Sequence, residues 1–114
     1  MSPDMRVGGP FQSSGFPQDP KREMLNLCSD IFTSLKKDPS RDTVMQANAK
    51  VHQIEKLNSY PFSQEIKNFC TKMHSWVEQY HEYYNQGDQN GMSKSINHIR
   101  DEAYKLEQYI NSHY

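Results

Sequence analysis

Five histidines, two cysteines and fourteen carboxylates are the side chains here that could hold a metal or move a proton. Glu78 and His81 stand three residues apart. Di-iron helical bundles use that spacing to aim both ligands from one helix face. Such a centre needs a second Glu-x-x-His and two more inward carboxylates. Asp101 and Glu102 are the nearest candidates, and no histidine follows either of them by three. The run from His81 to Asn85 begins like the zinc-hydrolase motif His-Glu-x-x-His, but asparagine does not replace its second histidine on zinc. No metal and no cofactor is expected. His52, His74 and His98 read as solvated residues beside their helix seams.

Nucleophilic chemistry is equally unsupported. Cys70 and His74 are four apart on one helix, a contact without a third orienting group. Cys28 falls on an apolar stripe and reads as a buried structural thiol. No Gly-x-Ser-x-Gly or phosphate-cradling loop occurs, and the chain is not expected to be an enzyme. Thirteen basic and fourteen acidic residues give a net charge of -1, without the basic footprint of a nucleic-acid binder. Lys50, Lys56, Lys67 and Lys72 are interleaved with acids and read as solvated faces. No apolar run approaches a membrane span, and the first twelve residues lack a signal-peptide core. The two cysteines make no disulfide framework. These features point to a cytoplasmic protein.

Any function must therefore rest on surfaces, and surfaces on the elements that carry them. The 114 residues suffice for one domain. Only 34% are hydrophobic, with a mean hydropathy of -0.99, so folding requires those few to share one face per element. Residues 1–19 hold three of five glycines and three of six prolines, with no apolar period. They read as a flexible tail in which Phe11 and Phe16 could dock in a partner's groove. Residues 20–114 read as a helical domain.

Asp19-Pro20 predicts the first helix, with Met24, Cys28, Ile31 and Leu35 at spacings of 4, 3 and 4, ending near Lys37. Asp38-Pro39 repeats the start signal before a weaker stripe of Val44, Ala47, Val51, Ile54 and Leu57. The third helix opens near Pro61 or Ser63. Its seam is Phe62, Ile66, Phe69, Met73, Trp76, Tyr80 and Tyr83, with Cys70, Val77 and Tyr84 as a flanking row. Trp76 is expected at its centre. Residues 85–91 read as a turn. The fourth helix carries Met92, Ile96, Ile99, Ala103, Leu106 and Ile110. The seams predict an all-α, up-down-up-down four-helix bundle with a long hairpin of the last two helices, packed like a coiled coil.

On this frame the tyrosines are the strongest functional signal, because Tyr and Trp concentrate at binding hot spots. The sequence is best read as a protein–protein interaction module, an adaptor, regulatory subunit or small effector. Its expected contact residues are Phe11, Phe16, Tyr80, Tyr84, Tyr104 and Tyr109. The alternative is a structural homodimer through the seam of the third and fourth helices. No nucleic acid or membrane is expected as partner. Deleting residues 1–18, which leaves the Asp19 cap in place, should change neither helical circular dichroism nor melting temperature. A fall of more than a few degrees would mean that the segment packs on the helices.

Overall fold

A computed structural model describes residues 19–58 and 63–113. Four helices make up these residues: α1 (Pro20–Lys37), α2 (Arg41–Leu57), α3 (Gln64–Gln86) and α4 (Gln89–His113). No strand occurs among the described residues. Each helix packs on its neighbour in sequence, and α1 also packs on α4, so the four close into a ring. Partner residues fix the directions. Phe69 meets Tyr109 and Trp76 meets His98, while Arg41 meets Tyr84 and Asn48 meets His74. Rising numbers on one helix face falling numbers on the next, so the bundle runs up-down-up-down.

The helix ends follow local chemistry. Asp19 caps α1, its carboxylate accepting from the Lys21 N–H at 3.1 Å, with Pro20 at the first helical position. Asp38 does not start α2. Its backbone N–H donates to Ser34 O and closes α1. Its carboxylate then accepts from the hydroxyls of Ser40 (3.3 Å) and Thr43 (3.1 Å). Ser40 is the actual cap, accepting from the Thr43 N–H at 3.3 Å. The α2–α3 connection is pinned by buried Asn58, whose amide donates to Ser63 O and accepts from Ser63 N–H. Ser63 caps α3, and Phe62 lies outside the described residues.

The expected seven-residue turn between α3 and α4 shrinks to Gly87 and Asp88. Gly87 adopts the left-handed conformation (φ 73°), and the Gly87 and Asp88 N–H groups donate to Tyr84 O and Tyr83 O. Asp88 Oδ1 at once accepts from the Gly91 N–H, 3.0 Å away. A stop and a start thus stand side by side, and both helices lengthen into the predicted loop. Gly91 packs beneath the Tyr83 ring, where a β-carbon would collide.

Met24, Cys28, Ile31 and Leu35 of α1 are all buried, as are Val44, Ala47, Val51 and Ile54 of α2. On α4, Ile96, Ile99, Ala103, Leu106 and Ile110 are buried, and Met92 is half-buried. The expected register of α3 needs correction. Its buried residues are Ile66, Cys70, Met73, Val77 and Tyr80, whereas Phe69, Trp76 and Tyr83 are half-buried at the α4 edge. Trp76 is not central. Its indole stacks on the His98 ring, 3.9 Å between centroids and 4° from parallel. The two candidate rows share Ile66, Met73 and Tyr80 and differ by one position at Phe69/Cys70 and Trp76/Val77, which turns the inward face by about half of the 100° per residue, and the row with small Cys70 and Val77 points inward.

Two predictions follow from this core. Ile99→Ala should cost about 2–5 kcal/mol, the range for emptying a fully buried aliphatic site, and Trp76→Ala less than Ile99→Ala; denaturant melts of both variants test the ranking. Burial raises both thiols, Cys28 and Cys70, from 9.0 to about 12, with smaller contributions from Glu107 and Cys70 on Cys28 and from Glu55 on Cys70. Neither thiol should react with an aromatic disulfide reagent at pH 8 until the chain is unfolded, because the thiolate is the nucleophile. Unfolded thiols ionise first as pH rises, so stability should fall between about pH 9 and about 12.

Candidate functional site

The α1–α2 and α3–α4 turns lie at the same end of an up-down-up-down bundle. The Asp38 and Ser40 caps hold α1 and α2 close, which sets Lys36 and Arg41 on that end. Arg41 is the first residue of α2, and its guanidinium carbon lies 5.2 Å from the centre of the Tyr84 ring on α3. This cation–π contact closes one side of a groove of about 590 Å³ between the two turns. Its walls include Lys36, Arg41 and Arg100, with Tyr80, Tyr84, Met92 and Ile96, and carry no carboxylate.

Arg100 and Asn97 carry the groove onto the face between α1 and α4, where they also line a hollow of about 340 Å³ with Phe32, Asp101 and Tyr104. The Arg100 guanidinium carbon sits 4.8 Å from the Phe32 ring centre, and Phe32 packs on Tyr104 at 6.1 Å, tilted by 53°. Arg100 Nε is buried with no hydrogen-bond partner among the described residues. Asp101, at the far rim, is paired with Lys105 at 3.0 Å. Two arginine–aromatic contacts therefore flank one continuous surface, and Arg100 Nη1 also donates to Asn97 Oδ1 at 3.5 Å.

The expected contact residues divide. Tyr84 and Tyr104 are 46% and 52% exposed, and with Met45 they are the large apolar side chains standing free among the described residues. Tyr80 is only 3% exposed. It belongs to the core and offers the groove no more than part of its floor. Burial raises its phenol above the ordinary value; Tyr84 adds to this and Arg41 opposes it. Tyr109 is half-buried on the α3 side, between Phe69 (6.0 Å) and the stacked His113 ring (4.1 Å). Five residues separate it from Tyr104, so on a helix of about 100° per residue the two rings face different neighbours. Phe11 and Phe16 lie outside the described residues.

Arg41, Arg100, Lys36 and Phe32 were not singled out from the sequence. Each is unremarkable along its own helix, and only the packing of α1 on α4 and α2 on α3 brings guanidinium onto ring. Glu78 is exposed and His81 half-buried beside Tyr80, on α3 alone. His74 and His98 are half-buried with specific partners, not freely solvated as expected. No helix among the described residues is long and apolar enough to cross a membrane.

Geometry carries the functional argument on its own, because no protein-family model, no curated protein and no solved structure matches this chain.

Proposed function

We propose that this chain is a non-enzymatic interaction module, an adaptor, regulatory subunit or small effector, that binds an acidic segment of another protein. The contact surface is the groove between the two turns and its extension past Phe32 and Tyr104. One observation carries the reading: three cations and the exposed Tyr84 ring line the groove without a carboxylate, in a chain of net charge -1. Charge of one sign gathered on an otherwise balanced molecule favours a partner of the other sign. Arginines held over rings present the planar donors that pair with carboxylates in two-point contacts. Exposed tyrosines supply the rigid apolar area typical of binding hot spots. Two free, buried cysteines suit the cytoplasmic setting that belongs to the same reading.

The homodimer alternative would need a face other than the core of the α3–α4 seam. Ile66, Met73, Ile99, Leu106 and Ile110, the heart of the seam between α3 and α4, are all 0% exposed within one chain. A second copy would have to use another face, and no observation favours one.

Selection of a random displayed peptide library on the immobilised protein tests the proposal. Enriched peptides should carry clustered Asp and Glu beside apolar residues. Their affinity should drop about tenfold or more, at least 1.4 kcal/mol, in the double variant Lys36→Glu/Arg41→Glu, and should weaken with salt. Both positions are exposed, so the variant should stay folded, its melting temperature lowered only by loss of the Arg41–Tyr84 contact and of the Lys36 charge at the end of α1. Enrichment of neutral or basic peptides, or equal binding by the variant, would refute the assignment. Tighter binding of a single-stranded oligonucleotide than of any selected peptide would place nucleic acid in the groove instead.

A further inference from the structure

On the opposite flank of the bundle, α2 and α3 bring three ligand-type side chains to one point. His52 Nδ1 lies 3.3 Å and His74 Nε2 3.0 Å from the same oxygen, Glu55 Oε1. All three ligand atoms fall within 4.8 Å of one another. Metal–ligand bonds of about 2.0–2.1 Å in a tetrahedron put neighbouring ligand atoms roughly 3.3 Å apart. Two of the three edges are therefore already close to the length a zinc-type ion requires.

The hydrogen-bond arithmetic points the same way. His74 Nδ1 stands 2.6 Å from Asn48 Oδ1, and its Nε2 faces Glu55 Oε1. An amide oxygen and a carboxylate only accept. With the Nδ1–H given to Asn48, the Nε2 lone pair meets a carboxylate oxygen, and the His52 ring brings a second nitrogen to the same atom. That contact is favourable only with a proton or a metal cation at its centre. Asn48 is then the group that fixes the tautomer and ring orientation of a ligand histidine. Asn48, His52 and Glu55 follow at spacings of 4 and 3, one face of α2, and the His52 and His74 rings lie 4.3 Å apart.

We propose that His52, Glu55 and His74 form a binding site for a divalent transition ion of the zinc class, clipping α2 to α3. Imidazole and carboxylate are the donors such ions accept. Three protein ligands leave one tetrahedral position open, as in sites that keep a water or take a ligand from a partner. The His52 side chain is 64% exposed, against 24% for His74 and 31% for Glu55, so the open side faces solvent at the lip of the site. The sequence hides it, because its two histidines sit on different helices and match no one-helix motif.

The test uses the full chain, stripped with a chelator, dialysed and titrated with zinc chloride by calorimetry, with cobalt(II) absorption as a second readout. One ion per chain is expected, with a cobalt spectrum of low-coordinate type and a melting temperature that rises with zinc and returns with chelator. His52→Ala and His74→Ala should each weaken binding by roughly tenfold or more, and Asn48→Ala by about tenfold, as for loss of a ligand's supporting partner. Exposed His52 can be removed without touching the core, so that variant stays informative if His74→Ala unfolds. Cys70→Ser should still bind, which separates the site from thiol capture. No binding at millimolar zinc by the folded chain would overturn the proposal, leaving either a proton at the contact or the reversed Asn48 amide, in which Asn48 donates to His74 and His74 to Glu55. Stoichiometric binding that survives His52→Ala would also overturn it.

Discussion

Each helix of this protein has one narrow apolar stripe and nothing else to bury. Burying one aliphatic side chain contributes about 1.5–3 kcal/mol, and ordering each residue costs about 1–2 kcal/mol of backbone entropy. A stripe of four or five such residues cannot hold one helix against that cost, and a pair would leave half of every stripe wet. Four stripes closed into a ring give each buried residue neighbours from two directions. That is why α1 must reach α4, and why the core is fully buried although only 34% of the sequence is hydrophobic.

The ring sets what surfaces exist. Apart from Tyr80 the thin core is made of Ile, Val, Leu, Met, Ala and Cys, and Phe32, Phe69, Trp76 and Tyr109 sit half-buried at the borders between helices. There they meet cations and imidazoles: Arg100 on Phe32 and His98 on Trp76 from the next helix, and Lys72 over Phe69 from the same helix. The borders differ in chemistry because their flanking residues differ. Between α1 and α4, and around the two turns, the flanks are arginine and tyrosine. Between α2 and α3 they are histidine, glutamate and asparagine. The first arrangement suits acidic polypeptide and the second a metal ion, and the same packing rule generates both.

The error in α3 has a physical cause. The expected row Ile66, Phe69, Met73, Trp76 and Tyr80 and the buried row Ile66, Cys70, Met73, Val77 and Tyr80 have the same period and share three members. Hydrophobicity favours the aromatic row, and volume favours the other. Nothing along one helix weighs them, since the space available depends on how closely the neighbours approach. With Ala47 and Ala103 on the facing helices both at or near zero exposure, the neighbours come close and Cys70 and Val77 fit. Tyr80 belongs to both rows, so it is buried under either register, and its reading as a contact residue rested on residue type alone.

Local chemistry was enough to determine the helical class, the extent of α1 with its Asp19 cap and its lysine-rich end, the inward residues of α1, and most apolar inward residues of α2 and α4, though not buried Thr43, Ser95 and Glu102. Period and capping act within a few residues and are written directly in the chain. The Gly87 stop beside the Asp88 start and the separation of Tyr104 from Tyr109 are also local, set by capping and helix period, although residues 85–91 read as a turn by composition. Tertiary structure alone decided the rotation of α3. It also decided the meeting of Arg41 with Tyr84, of Arg100 with Phe32, and of His52 and Glu55 with His74. Each of these joins residues on different helices or depends on the room a neighbour leaves. Contact across a helix border is set by the closing of the ring, which no single stretch of sequence encodes.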